Sequence, residues 1–260
     1  MDLGLKGKRA LITGASTGLG FAVAREYLQE GADVVICARG EDKLQKAVAE
    51  LSELGEVHGV AADLNTPDGI DHVLTMADAH MGGVDVLCMS TGGPPSGTFE
   101  TIEPEQYTQA ANDLIEGLVR LIKGVLPGMC ERHWGRIMAV TSISLKQPVD
   151  NLILSNTMRA GIGGLMKTLS NEYAAKGVTF NCLLPGLTET ERLQSLVAQM
   201  AELQNISVEA CLEKFAAPIP MARLGQPEEF AALAVFLGSE RASYITGTNI
   251  PVDGGWIKGI

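Results

Sequence analysis

Seven short apolar runs rich in β-branched residues, alternating with helical stretches, set what this chain can fold into. They are RALIT (9–13), DVVICA (33–38), VHGVAA (57–62), VDVLCM (84–89), RIMAVTS (136–142), VTFNCLL (178–184) and TNIPV (248–252). Between them lie amphipathic or Ala-rich stretches such as GFAVAREYLQE (20–30), EDKLQKAVAELSEL (41–54) and EEFAALAVFLGS (228–239). A strand that reads as a continuous apolar run is buried on both faces, which is the signature of a parallel sheet. The alternation predicts a doubly wound α/β sheet with right-handed crossovers. No linker, repeat or low-complexity tract divides the 260 residues, so one domain spanning 1–260 is expected. Residues 190–217 read as a helical insertion before the last crossover, placed to act as a lid over the ligand crevice.

Composition removes several function classes. The formal net charge is −11, and no basic stripe offsets it, which argues against nucleic acid as a partner. No apolar run reaches membrane-spanning length and the first residues lack a signal-peptide core, so a cytoplasmic location and no membrane association are expected. The five cysteines (37, 88, 130, 182 and 211) form no C-x-x-C pair, and an odd count without an export signal argues against a disulfide framework. His58, His72, His80 and His133 are scattered, without metal-ligand spacing, so no metal site is expected.

The first strand runs into TGASTGLG (13–20). Gly14, Gly18 and Gly20 follow a strand and open a helix, so the backbone can approach a pyrophosphate and the helix N-terminus favours its charge. Ser16, Thr17 and Leu19 complete this candidate cofactor loop. The competing reading is a structural tight turn. At the tip of the second strand an acidic residue would accept hydrogen bonds from a free adenosine ribose. This chain has Ala38 and Arg39 there, and a guanidinium suits a 2′-phosphate by charge and fork geometry. NADP(H) is therefore the preferred cofactor and NAD(H) the second choice, the alternative for Arg39 being a solvated loop cation. Asp63, followed by Leu64 after the third strand, is placed to meet the adenine; otherwise it is a turn or helix-capping residue.

With these residues in hand, the chain resembles the short-chain dehydrogenase/reductase family, especially its branch similar to 3-oxoacyl-(acyl-carrier-protein) reductase. The markers are TGASTGLG, AADL (61–64), STGG (90–93), NCLLPGLTET (181–190) and the closing run 221–255. The resemblance implies a Rossmann-like sheet of seven parallel strands with helices on both faces, a nicotinamide cofactor and a homotetramer. It implies that Pro185, Gly186 and Thr190 border the nicotinamide, and that Gly92 and Gly93 line the ribose side. It also implies a catalytic set of Asn, Ser, Tyr and Lys, in which the Tyr gives a proton to the carbonyl oxygen and the Lys lowers the Tyr pKa and holds the ribose.

The same alignment shows that the set is rewritten. Ser142 keeps the Ser. The Tyr position holds Ser155, the Lys position holds Arg159, and the Asn position falls on Leu114, with Asn112 close enough to compete. Ser142, Ser155 and Arg159 are the candidate catalytic residues, and Arg159 is also a candidate ribose ligand. A serine hydroxyl is a far weaker acid than a phenol, and an arginine keeps its proton, so neither replaces the Tyr–Lys relay. Purely structural readings stand beside this: Ser155 as a helix cap, Arg159 as a surface cation paired with a carboxylate.

Three functions follow. The first is an NADP(H)-dependent oxidoreductase in which Ser142 and Ser155 hold a carbonyl, Arg159 stabilises the oxyanion, and water or Lys146 supplies the proton. The second is a non-redox enzyme on the same scaffold, dehalogenase- or lyase-like. Halohydrin dehalogenases look similar in having Ser and Arg here, but they retain the Tyr and lose the glycine loop, the reverse of this chain. The third is a cofactor-binding pseudo-enzyme, a sensor or partner subunit. The rim segments 91–100 and 144–156, stiffened by Pro94 and Pro95 and carrying the apolar run 148–154, suggest a small apolar carbonyl or alcohol as substrate. Gly161, Gly163 and Gly164 interrupt the helix that carries Arg159, and such glycines are tolerated where something packs close.

Overall fold

The computed structural model describes residues 2–90 and 92–259; Thr91, inside the STGG turn, lies outside the described residues. The seven expected strands are all present: β1 (Arg9–Thr13), β2 (Asp33–Ala38), β3 (Val57–Ala61), β4 (Val86–Ser90), β5 (Gly135–Val140), β6 (Val178–Pro185) and β7 (Asn249–Val252). They form one parallel sheet in the order β3-β2-β1-β4-β5-β6-β7. The order reverses between β1 and β4, which opens a crevice at the strand C-termini. Thr13 ties the two strands at that point: its Oγ1 donates to Ser90 O at 3.0 Å and accepts from Ser90 N at 2.9 Å.

Neighbouring strand residues feed opposite faces, as a period of two requires. Leu11, Val35, Leu87 and Phe180 pack with α3 (Pro67–Met81), α5 (Gly117–Glu131) and α6 (Ile153–Tyr173). Ile12, Val34, Val86 and Leu183 pack with α1 (Gly18–Gln29), α2 (Glu41–Leu51) and α9 (Pro227–Gly238). Both faces are thus covered, which is why the strands read as unbroken apolar runs.

Two departures from regular helix shape the site. α4 (Pro104–Ala111) continues into α5 through a single wide π turn, Asn112–Glu116. Such turns often accompany functional sites, because they re-aim side chains without ending the helix. Gly117, just after it, comes so close to α3's approach that a Cβ would lie 2.8 Å from Leu64 O. The predicted insertion is two helices, α7 (Glu191–Gln204) and α8 (Val208–Ala216). They share a small core of their own, built on Leu193, Val197, Cys211 and Ile219. No helix among the described residues is long and apolar enough to cross a membrane.

Candidate active site

The glycine loop has the backbone geometry of a cradle. Gly14 and Gly18 both sit at φ +62°, a conformation side chains rarely adopt. A Cβ on Gly14 would lie 2.8 Å from Ser90 O, and one on Gly20 would lie 2.5 Å from Gly14 O. α1 then begins at Gly18 after Thr17, which makes no side-chain cap, and no acidic residue lies in the first turn. The leading N–H groups are therefore left for an anion, as at other phosphate-binding helix ends. These free N–H groups fit a pyrophosphate.

A cleft of about 580 Å³ opens from this loop across the switch point. Gly14, Ser16, Arg39, Asp63, Leu64 and Gly92 line it, so the structure brings these candidates to one wall system. Arg39 is exposed and, among the described residues, pairs with no carboxylate. Asp63 does not cap α3; Thr66 does, accepting from Gly69 N at 3.1 Å. Asp63 instead accepts from Asn65 N at 3.1 Å and faces the cleft. The remaining cofactor candidates stand around the cleft rather than in its lining. Thr190 caps α7 and lies against Gly18, whose Cβ would meet its Cγ2 at 3.3 Å. Leu19 follows in the first turn of α1. Pro185 ends β6, and Gly186 N donates to Val252 O at 2.9 Å, close against Asp253.

The rewritten catalytic positions form a buried polar cluster, arranged differently from the sequence expectation. Ser155 lies inside the first turn of α6 and does not cap it; the cap position is Leu152. Arg159 is not a surface cation but only 7% exposed. Its Nε donates to Ser155 Oγ at 3.0 Å and its Nη1 reaches Val140 O at 3.5 Å. Among the described residues no carboxylate lies within ion-pair distance of it. Burial therefore pushes its pKa down to about 10, and the charge of Arg192 adds to the effect.

Among the described residues the serine that hydrogen-bonds Ser155 is Ser144, not Ser142. Ser142 begins a 3-10 turn, Ile143–Leu145, and its Oγ accepts from Ser144 N at 3.1 Å. The turn points Ser144 inward, and it is Ser144 Oγ that lies 3.2 Å from Ser155 Oγ. Ser144 was legible only as the next polar residue after Ser142. Leu114, at the family's Asn position, lies in the π turn, is 2% exposed and lines the cleft beside Asp113. Arg192, in the first turn of α7, lines the opposite side against Gly93 and carried no sequence signal of its own.

The start of α6 is pinned from two sides. Asn156 exchanges side-chain bonds with Val149 N and O at 3.1 and 3.0 Å. The loop after β4 bridges to it through Gly97 N to Asn151 O at 2.7 Å and Ile153 N to Gly97 O at 3.3 Å. Loop and helix thus fix the start of α6, and with it the turn that carries Ser155 and Arg159.

A doubly wound parallel sheet, a phosphate cradle at its switch point and a polar cluster beyond β5 define a dinucleotide-binding α/β protein. Comparisons with known proteins agree and go further. Residues 14–257 match the family described as Enoyl-(Acyl carrier protein) reductase. The chain is 32% identical over 253 residues to 3-oxoacyl-(acyl-carrier-protein) reductase FabG of Vibrio cholerae, covering 97% of this chain and 98% of that one. It is 30% identical over 256 residues to the NADPH-dependent reductase BacG of Bacillus subtilis, covering 97% and 99%. A crystal structure of L-sorbose reductase from Gluconobacter frateurii, complexed with NADPH and L-sorbose, superposes with a TM-score of 0.96 at 34% identity over the whole of both chains. The chain belongs to the short-chain dehydrogenase/reductase family of oxidoreductases.

Proposed function

We propose that this protein is an NADP(H)-dependent oxidoreductase that reduces a carbonyl, 3-oxoacyl-like in class, or oxidises the matching alcohol. One observation carries the reading: an intact glycine cradle after β1 and a buried cluster of two hydroxyls and a guanidinium beyond β5 stand at the same, C-terminal edge of the sheet. Gly14, Ser16 and the uncapped start of α1 hold the pyrophosphate, Arg39 the 2′-phosphate, and Asp63 with Leu64 the adenine. Gly92, Pro185, Gly186 and Thr190 border the nicotinamide, with Arg159 toward its ribose. NADPH, when bound, supplies the hydride.

The chain's own residues do the rest. Arg159 keeps its charge through the neutral range and stabilises negative charge growing on the carbonyl oxygen. Because Arg159 donates to Ser155 Oγ, the Ser155 hydroxyl hydrogen is free to point at Ser144 or at that oxygen. Ser142 holds the turn that aims Ser144. Neither a serine nor a protonated arginine in this setting delivers a proton readily, so water, or Lys146 at the end of the turn, supplies it. α7 and α8 close over the cleft, the substrate is a small molecule, and the protein works as a cytoplasmic homotetramer.

A second reading, a dinucleotide-binding protein without turnover, is favoured by the absence of a phenol at the site among the described residues. Tyr27 is buried and donates to Ala234 O at 3.1 Å, and Tyr244 is exposed. Tyr107 lies on α4 and Tyr173 ends α6. Calorimetric titration with NADPH and NADH separates the readings from a purely structural role, and a carbonyl screen separates them from each other. Micromolar NADPH binding with consumption of NADPH is expected. Binding without consumption by any carbonyl favours the second reading, and no binding of either cofactor removes both.

A further inference from the structure

We infer that Arg192 is a counter-ion of the dinucleotide's pyrophosphate, carried to it by the first turn of α7, so that the lid closes on the cofactor itself. The inference rests on the dinucleotide reading above and deepens it with a ligand that lies outside the glycine loop. The need for a cation comes first. A bound dinucleotide brings a negative charge on each phosphate of its pyrophosphate to the start of α1. A helix N-terminus offers only about half a positive charge. Neither the loop 13–20 nor the first turn of α1 carries a Lys or Arg. Among the described residues that line the cleft, the cations are Arg39 and Arg192. Arg39, at the tip of β2, is taken by the 2′-phosphate, which leaves Arg192.

Three successive residues place it. Thr190 caps α7, its Oγ1 accepting from Leu193 N at 3.3 Å. Its methyl lies against Gly18, the first residue of α1, where a Cβ would meet it at 3.3 Å. Two helix N-termini therefore meet at the glycine loop. Glu191 reaches to Lys43 on α2 at 3.0 Å. Arg192 lies over Gly93, with Nη2 3.5 Å from where a Cβ would be, and lines the same cleft as Gly14 and Ser16. One turn of α7 thus touches α1, α2 and the loop after β4 together.

Without an anion the cation is badly placed. The dipole of α7 disfavours positive charge in its first turn. No carboxylate pairs with Arg192 among the described residues. The acids that line the cleft are engaged nearby: Asp63 accepts from Asn65 N at 3.1 Å, and Asp113 from Gln109 Nε2 at 2.6 Å. A phosphate suits both helix starts, and a guanidinium fork can meet two of its oxygens at once. Because α7 and α8 rest on a small core of their own, they can follow that anion.

The test measures binding, not turnover. NADPH, NADH and adenosine 2′-monophosphate, which has no pyrophosphate, are titrated calorimetrically into the unaltered protein, R192Q and R192K. The exposed position of Arg192 leaves folding intact. R192Q should weaken NADPH and NADH by the same factor, about tenfold or more, and leave adenosine 2′-monophosphate unchanged. R192K, which keeps the charge, should recover part of the loss. The dependence of NADPH affinity on salt should be shallower in R192Q than in the unaltered protein. Unchanged NADPH affinity in R192Q overturns the inference. So does a loss confined to NADPH and adenosine 2′-monophosphate, which assigns Arg192 to the 2′-phosphate. A loss in R192K as large as in R192Q, with the salt dependence unmoved, assigns the effect to the shape of the lid and overturns it too. Failure of NADPH and NADH to bind the unaltered protein is a different result: it sinks the dinucleotide reading, and this inference with it.

Discussion

At the scale of single residues, Arg159 and Arg39 are opposites. Arg159 is buried at a cost, and with its pKa at about 10 it is charged at neutral pH. The unfolded chain keeps that proton to a higher pH, so above about 10 it binds more protons than the fold does, and stability rises with pH there. Below about 10 the whole penalty is present. R159M should therefore raise the thermal midpoint of the ligand-free protein at pH 7 by a few degrees, for a gain of about 1 kcal/mol, while abolishing turnover. A lowered midpoint in a thermal scan would show that the charge is already compensated in place. Arg39 is exposed and bears no such penalty. R39A should weaken NADPH by about tenfold or more and leave NADH almost unchanged. Equal losses by calorimetry would remove the 2′-phosphate assignment.

At the scale of elements, the sheet is anchored at the end away from the cleft. Asp85, just before β4, receives Arg9 Nε at 2.8 Å, Arg9 Nη2 at 2.6 Å and Arg132 Nε at 3.1 Å. Its backbone accepts from Arg136 N and donates to Arg9 O, so β1, β4, β5 and the end of α5 meet at one residue. Burial alone would raise the Asp85 pKa, but Arg9 and then Arg132 outweigh it and hold it below the usual carboxylate value. A depressed carboxyl stabilises the fold above its unfolded pKa of about 3.9 and loses that contribution as pH falls through the folded value. D85N should cost about 2–3 kcal/mol at pH 7, and the gap to the unaltered protein should narrow below about pH 4 in urea titrations. A gap independent of pH would assign the loss to packing rather than charge. α7 and α8, by contrast, rest mainly on their own small core, the arrangement expected of an element that moves.

At the scale of the whole molecule, the glycines of α6 divide into two kinds. Gly163 faces inward, where a Cβ would meet Leu145 at 3.2 Å, so its small size serves the fold of one chain. Gly161 and Gly164 are exposed; a Cβ on the first would meet only Ile115 at 3.7 Å, and on the second nothing within 4 Å. Nothing inside the protomer asks for glycine at Gly164, where it costs helix stability of about 1 kcal/mol against Ala. This is the pattern of a helix surface awaiting a close neighbour, and it supports the homotetramer. Light scattering should give four times the 27.5 kDa protomer, and G164W should break that assembly without unfolding the chain. A monomer at micromolar concentration would rule the homotetramer out.

Much of this was legible from local sequence. Strands buried on both faces must be apolar throughout, so all seven stood out, and a loop whose backbone turns left-handed or packs against backbone favours glycine, so Gly14, Gly18 and Gly20 did too. Spacing alone placed Ser155 and Arg159 a helical turn apart, and their bond follows from it. Tertiary structure decided the rest. That Arg159 is buried without an acid among the described residues depends on what β5 and α7 bring near it, and a sequence window does not contain those distances. Ser144 rather than Ser142 meets Ser155 because a single 3-10 turn sets which hydroxyl points inward, and both choices read alike in one dimension. The π turn that puts Leu114 on the cleft and the packing that sets Arg192 against Gly93 arise where distant segments meet. Local pattern encodes burial and backbone freedom; the convergence of charges is set only when the chain closes on itself.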